Sequence, residues 1–447
     1  MDYRRLADGV AKAIADGRLR PGDRLPPQRT FARRHRVAVS TAIRAYGELV
    51  RRGLVVGEVG RGTFVRAAPP HPGSVLAEDS GRTPVNLELN YPVADGQSEL
   101  MARALAGLAR PDVLLEATRP AAADGTPGAR AAAARVLARP GWRPDPDRLL
   151  FAGNGRQAIA AALSALVRPG GRVGVEELTY PLVKAVAERL GITLVPIGTD
   201  GSGMLPSALD AAHRRTPLSA VYVQPTLHNP LSLTMPGARR EELALVLREL
   251  GLAVVEDTTW AFLAAAVDAP APLAAYAPER TLLVDSLSKR LAPGLTVGFL
   301  SVPEAYGEEV ARALRSGAWT AGRFNLEAAV RWVEDGTVEA VTAAKRAEAA
   351  ARHALVARHL GTFSVRTDPC SYYCWWELPA PWRAETFVAA AAAELGIAVT
   401  PGSAFAVGAA SAPDAVRVGL ASPPRPVLDA ALRRLAELAV RGRSARP

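Results

Sequence analysis

Residues 281–299, TLLVDSLSKRLAPGLTVGF, place a single lysine at the end of an apolar run. Leu282 to Val284 predict a short buried strand, and Asp285 to Ser288 a polar turn whose hydroxyls, Ser286 and Ser288, flank Lys289. Pro293 and Gly294 break the chain before a second apolar run. A lysine at a strand end, partly desolvated and beside a second cation, Arg290, has its amine pKa lowered, which is the condition for imine chemistry. By itself such a lysine is more often a solvated surface group, so the surrounding chain has to decide.

Outward from this stretch, short apolar runs at 148–152, 172–175, 194–197, 220–224, 253–256 and 281–285 alternate with Ala- and Leu-rich helical stretches. The alternation predicts an α/β fold, a mostly parallel sheet with helices on both faces, in which ligands bind at the carboxyl ends of strands. Those ends hold Gly153-Asn154-Gly155 opening a helix, Tyr180, His228-Asn229-Pro230, Asp257 and Lys289. N–H groups at a helix start bind phosphate. A carboxylate closing a buried run, as Asp257 does, needs a cation or N–H partner, and a pyridinium nitrogen would serve. Each residue also has a plainer reading: a glycine turn, turn chemistry ahead of Pro230, a packed tyrosine.

The chain has 447 residues, 49% of them hydrophobic, with a mean hydropathy of +0.06, enough for more than one domain and a large core. No apolar run approaches the roughly 20 residues of a membrane span. The start, MDYRRLADG, has no apolar signal segment, so a cytoplasmic protein without membrane contact is expected. Cys370 and Cys374, four apart in an expected strand, are too far apart for a disulfide. The six histidines show no metal-ligand spacing, and no metal is expected.

Charge is concentrated at one end. Residues 1–66 hold 15 Lys+Arg against 6 Asp+Glu and carry +9 of the chain's +10, which points to nucleic-acid contact there. Tyr3 to Asp16 have helical spacing. Helices over 29–36 and 40–52 flank a turn, and LVVGEVGRGTFV predicts two strands around a Gly-rich tip bearing Arg61. In this helix-turn-helix Ser40 is the expected N-cap, Thr41 and Arg44 lie on the exposed start of the recognition helix, and the wing reaches phosphate or the minor groove. Ala67 to Pro84, rich in Pro, Gly and Ser, predicts a linker.

The run GRLRPGDRLPPQRTFARRHRVAVSTAIRAYGELVRRGLVVGEVGRGTFV resembles the GntR family in PGDRLP, T-x-x-R-A-Y-x-x-L and GRGTFV, across essentially all of residues 1–66. The resemblance implies DNA contacts at Arg29, Thr41, Arg44, Arg61 and Gly62, with Ser40 beside them. Val39 stands where that family often has arginine, which implies a different operator.

Residues 85–447 resemble the class I aminotransferases, fold-type I pyridoxal-phosphate enzymes with a small α+β domain, and VTPGSAF at 399–405 is like that small domain. On this resemblance Lys289 in SLSKRLAPGL forms the imine, Asp257 holds the pyridinium nitrogen, Asn229 bonds the ring hydroxyl and Tyr180 stacks on the ring. Ser286, Ser288 and Gly155 hold the phosphate, and Arg417 in VRVGLASP matches the arginine that forks the substrate α-carboxylate. Departures cluster at the cofactor's edge. Thr296 replaces the phosphate arginine, so either Arg290 or another cation substitutes or the phosphate is held less tightly. Trp260 replaces a tyrosine, Asn154 a glycine, and a family tyrosine falls near Pro120.

A winged helix ahead of an aminotransferase-like domain is the arrangement of the MocR-type regulators. The implied organisation is a DNA-binding domain over 1–66, a linker over 67–84 and a pyridoxal-phosphate domain over 85–447. The implied protein is a cytoplasmic homodimer that binds a double-stranded operator and senses pyridoxal 5'-phosphate, an amino acid or an amine. The edge departures favour this over an active aminotransferase with a DNA-binding appendage.

Overall fold

The computed structural model describes residues 2–16, 18–20, 22–51, 54–58, 62–65, 84–264, 269–294, 296–408 and 412–444. Arg61 and nearly all of the expected linker lie outside the described residues.

The first 65 residues form a winged helix. Helix α1 (Tyr3–Ala15) buries Leu6, Ala7 and Val10 at helical spacing, α2 (Gln28–His35) buries Phe31 and Ala32, and α3 (Val39–Arg51) buries Ala42, Ala45, Tyr46 and Leu49. Arg36, left-handed at φ 53°, ends α2 and turns the chain into α3. The Tyr46 hydroxyl donates to Pro26 O at 2.5 Å and ties α3 to the loop before α2. Strands β1 (Val55–Glu58) and β2 (Gly62–Val65) pair antiparallel as the wing.

One expectation is corrected here. Ser40 does not cap α3: the helix begins at Val39, and the Ala38 carbonyl takes the first bonds, from Thr41 N (3.0 Å) and Ala42 N (3.2 Å). Two helical residues precede Thr41, so Ser40 is an exposed residue of the first turn instead.

The larger part is built on a seven-stranded sheet of β3 (Leu149–Ala152), β4 (Arg172–Glu176), β5 (Thr193–Ile197), β6 (Ala220–Val223), β7 (Ala253–Asp257), β8 (Thr281–Ser286) and β9 (Gly298–Ser301). Its order is β3-β9-β8-β7-β6-β4-β5, parallel except for β9, which runs antiparallel to both neighbours. All six expected strands are present. Near-continuous Val, Leu and Ala runs are what a sheet covered on both faces requires. Helix α4 (Gly155–Leu166) lies on one face through Ala158, Ile159, Ala161, Ala162 and Leu163, whose small side chains allow close approach. Strand periodicity sends Val255 and Asp257 of β7 to the α4 side and Glu256 to the other. There Glu256 accepts N–H bonds from Leu273 (2.8 Å) and Ala274 (3.0 Å) and faces Arg240 at 3.6 Å. Burial pushes its carboxyl pKa up.

The short helix α5 (Leu287–Arg290) follows β8 directly, with the Ser286 side chain as its cap, accepting from Ser288 N at 3.3 Å. A four-stranded antiparallel sheet forms the small domain: β10 (Ser364–Arg366), β11 (Tyr373–Glu377), β12 (Thr400–Pro401) and β13 (Ala415–Gly419), in the order β10-β11-β13-β12. The long helix α6 (Thr337–Leu360) and the last helix α7 (Arg425–Ser444) pack against it. Cys370 lies in the turn before β11, not in a strand; Cys374 is in β11, where burial pushes its thiol up to about 12. No helix among the described residues is long and apolar enough to cross a membrane.

Candidate functional site

The carboxyl ends of β7 and β8, the start of α4 and one residue of β13 converge on Lys289. Its Nζ donates to Asn90 O at 2.7 Å and lies 4.0 Å from the centre of the Tyr91 ring and 5.4 Å from that of Trp260. The π faces and the carbonyl hold the amine. Tyr91 is itself held by Arg156, whose Nη2 donates to its hydroxyl at 3.3 Å. Tyr180 adjoins the same guanidinium, and burial pushes its phenol up to about 12 against the pull of Arg156.

Asp257 is 3% exposed and accepts from Tyr222 Oη (2.7 Å), Gln224 Nε2 (2.8 Å) and Thr259 N (3.0 Å). All three donors are neutral, and among the described residues no cation comes within ion-pair distance. Burial pushes the Tyr222 phenol well above its ordinary value, with the neighbouring Asp257 carboxyl adding to the shift, so Tyr222 stays a donor. Gln224 also accepts from Asn229 N at 3.3 Å, and Asn229 Oδ1 accepts from Arg417 Nη1 at 3.1 Å. Arg417 donates further to Glu88 O and to Thr400 Oγ1 (3.3 Å), while its Nε is buried without a partner. Asn90 Nδ2 is a second such buried group.

Hydroxyls gather at the start of α4. A Cβ added to Gly155 would lie 3.2 Å from Ser286 Oγ and 3.6 Å from Thr259 Oγ1, so glycine keeps this approach open. Ser288 Oγ and Thr296 Oγ1 are 2.7 Å apart. Four hydroxyls and a twelve-residue helix start form a cup suited to a phosphate, with hydroxyl Thr296 where the resemblance places arginine.

The structure therefore links Asp257, Asn229 and Arg417 through Gln224, sets Lys289 against Trp260 and Tyr91, places Tyr180 beside Arg156, and gathers Gly155, Ser286 and Ser288 at the start of α4. Two expected cofactor residues are turned elsewhere. Arg290 donates to Asp285 Oδ2 at 2.6 Å, across the sheet from the hydroxyl cup, and its guanidinium carbon is 5.2 Å from the centre of the Phe262 ring. A buried carboxylate claims it, so it does not replace the missing phosphate arginine. Asn154 spends its side chain as the α4 cap, accepting from Gln157 N at 2.9 Å.

Sequence reading missed Asn90, Tyr91, Arg156, Tyr222, Gln224 and Thr259. The aromatic ring over the lysine belongs to Tyr91, not to the neighbourhood of Pro120. Thr259 had a signal, lying two residues after Asp257. Asn90 and Tyr91 had none, because they reach the site only when the segment after Val85–Asn86 runs beside Ile397–Ala398 and under β13.

At the DNA-binding end, Arg29 and Arg44 are exposed and Thr41 half-buried. Gly62 adopts φ +123° at the start of β2, a left-handed conformation that favours glycine, with the flexible Arg24 side chain beside it.

Comparison with known proteins agrees with both halves. The family model for bacterial regulatory proteins of the gntR family matches residues 2–65, and that for aminotransferase class I and II matches residues 116–435. The uncharacterized HTH-type transcriptional regulator YdeF of Bacillus subtilis is 31% identical over 423 residues, covering 94% of this chain and 90% of its own. The HTH-type pyridoxine biosynthesis transcriptional regulator PdxR of Corynebacterium glutamicum is 30% identical over 131 residues, 29% of this chain and 28% of its own. Among solved structures, LysN, an alpha-aminoadipate aminotransferase from Thermus thermophilus complexed with N-(5'-phosphopyridoxyl)-L-leucine, matches with a TM-score of 0.72 at 22% identity. The match covers 83% of this chain and 95% of that one.

Proposed function

Because the chain belongs to the MocR-type transcription regulators, a gntR-family winged helix joined to an aminotransferase class I and II domain, we propose that it is a cytoplasmic, homodimeric regulator. It binds a double-stranded operator and holds pyridoxal 5'-phosphate at Lys289. Through that site it senses the cofactor itself, an amino acid or an amine. The single observation that carries the reading is Asp257: a buried carboxylate with three neutral donors and room in its chemistry for one cation, linked through Gln224 and Asn229 to Arg417.

The residues present fit the cofactor. Asp257 would meet the pyridinium, with Tyr222 and Gln224 orienting its carboxylate. Asn229 would meet the ring hydroxyl. Gly155, Thr259, Ser286, Ser288 and Thr296 would hold the phosphate through N–H and hydroxyl donors. Lys289 supplies the amine for covalent attachment. Arg417, kept in place by Asn229, offers its fork to a carboxylate. When bound, the group supplies an electron sink for charge at an amino acid's Cα. With Thr296 at the position of the phosphate arginine and Arg290 held by Asp285, a phosphate would rest more on neutral donors, which supports reversible sensing over rapid turnover.

Purified wild-type protein is expected to show a visible absorbance band with pyridoxal phosphate that is missing in Lys289→Ala. The same protein is expected to retard DNA from its own upstream region specifically. A wild type with no such band sinks the cofactor half, and loss of specific retardation sinks the DNA half. The second reading, an active aminotransferase, is favoured by the joint presence of Lys289, Asp257, Asn229 and Arg417. Turnover of an amino acid with 2-oxoglutarate at about 1 per second or faster supports it over sensing.

A further inference from the structure

The recognition helix carries three exposed large apolar side chains that the fold does not use, Val39, Ile43 and Val50, and the first two lie in its opening turns. Val39 is 42% and Ile43 50% exposed, while the buried face of α3 is made by Ala42, Ala45, Tyr46 and Leu49. At about 100° per residue, Ser40, Arg44 and Gly47 point directly away from that face. Val39 and Ile43 lie one turn apart along its flank, within about 40° of each other. They occupy the first turns of the helix, the part that meets base edges in a helix-turn-helix. Their surroundings are cationic: Arg29, Arg33, Arg34, Arg36 and Arg44 are all exposed, and this domain carries most of the chain's net positive charge. An apolar strip framed by arginines matches a surface that is anionic at its rims and apolar at one point, which is the major groove with its thymine methyl groups.

Resting on the proposed DNA binding, we propose that Val39 and Ile43 read thymine C5-methyl groups in each operator half-site, a contact that arginine at position 39 would not make. Val39 covers the outer position and Ile43 the inner one, while Arg44 on the adjoining face donates to a neighbouring base or phosphate.

The full-length protein is first used to select its operator from a random duplex library. Each thymine of the operator is then replaced in turn by deoxyuridine, which removes only the methyl group. At one or two positions per half-site the exchange is expected to weaken wild-type binding about three- to fivefold at fixed salt, the worth of one buried methyl-sized group. Ile43→Ala and Val39→Ala, exposed positions where alanine favours the helix, are each expected to erase the discrimination at one of those positions. The proposal is overturned if wild type distinguishes thymine from deoxyuridine nowhere, or if discrimination persists in both variants, with DNA binding left standing in either case. Failure to select any operator, with no retardation at low salt, overturns the DNA reading and this inference together. A change in the oligomeric state of DNA-free Ile43→Ala would reassign the strip to contact between copies.

Discussion

Two buried side chains set the character of the site. Asp257 is legible in the sequence because a carboxylate ending the run AVVE has no reason to be buried without a partner. Its supports, Tyr222 and Gln224, are not, since they belong to the next strand and meet it only across the sheet. Tyr222→Phe removes one of three donors from that carboxylate, a loss of about 1.5–3 kcal/mol for a bond to a charged group. Pyridoxal-phosphate binding is expected to weaken about tenfold or more in a fluorescence titration, and unchanged affinity would remove Tyr222 from the site. Lys345 is the second. It is fully buried on α6 and donates to Lys289 O (3.0 Å) and Leu291 O (2.6 Å), bracing the turn that carries Lys289. Burial lowers its amine from 10.5 to about 7. The unfolded chain therefore keeps the proton to higher pH than the folded one, so stability is lowest below about 7 and climbs as pH rises toward 10.5. Lys345→Met is expected to flatten that climb in urea unfolding measured from about pH 6.5 to 9.5; parallel wild-type and variant curves would count against the assignment.

At the level of elements, the decisive contact is between the start of α4 and β9. A Cβ on Gly298 would meet the Asn154 carbonyl oxygen and lie 2.6 Å from its carbon and 3.2 Å from Gly155 N, all backbone atoms. Gly298→Ala should therefore push the antiparallel strand away from the phosphate cup. It is expected to destabilise the fold by about 1–3 kcal/mol and to weaken cofactor binding; an unfolding midpoint equal to wild type would contradict the packing. The six parallel-type strands could be read from their unbroken apolar runs. Strand β9 could not be assigned, because VGFLS is equally apolar whichever way it runs, and only pairing with β8 and β3 fixes its direction. Ser40 shows the same limit on a smaller scale: a good capping residue stands one turn-residue inside a helix that its neighbour Ala38 begins with a backbone carbonyl.

For the whole molecule, charge segregation is the feature with the broadest consequence. With +9 of +10 in residues 1–66, operator binding by the full chain is expected to fall at least tenfold between about 50 and 200 mM salt. Cofactor uptake at the uncharged hydroxyls of Ser286, Ser288, Thr259 and Thr296 should change little over the same range, and salt sensitivity of both to the same degree would speak against the proposed division of labour. The sequence by itself determined the α/β sheet and the winged helix and segregated the charge, because periodicity and charge bias are local properties, and it marked Lys289, Asp257 and Asn229 as candidates by their places just after strands. Tertiary structure alone decided that Tyr91 and Asn90 hold the lysine and that Arg290 serves Asp285 and leaves the phosphate cup to hydroxyls. It also put Lys345 beneath the turn. These contacts join residues from 5 to 199 positions apart, and which face of the sheet each side chain enters depends on strand order and pleat, which no short stretch of sequence encodes.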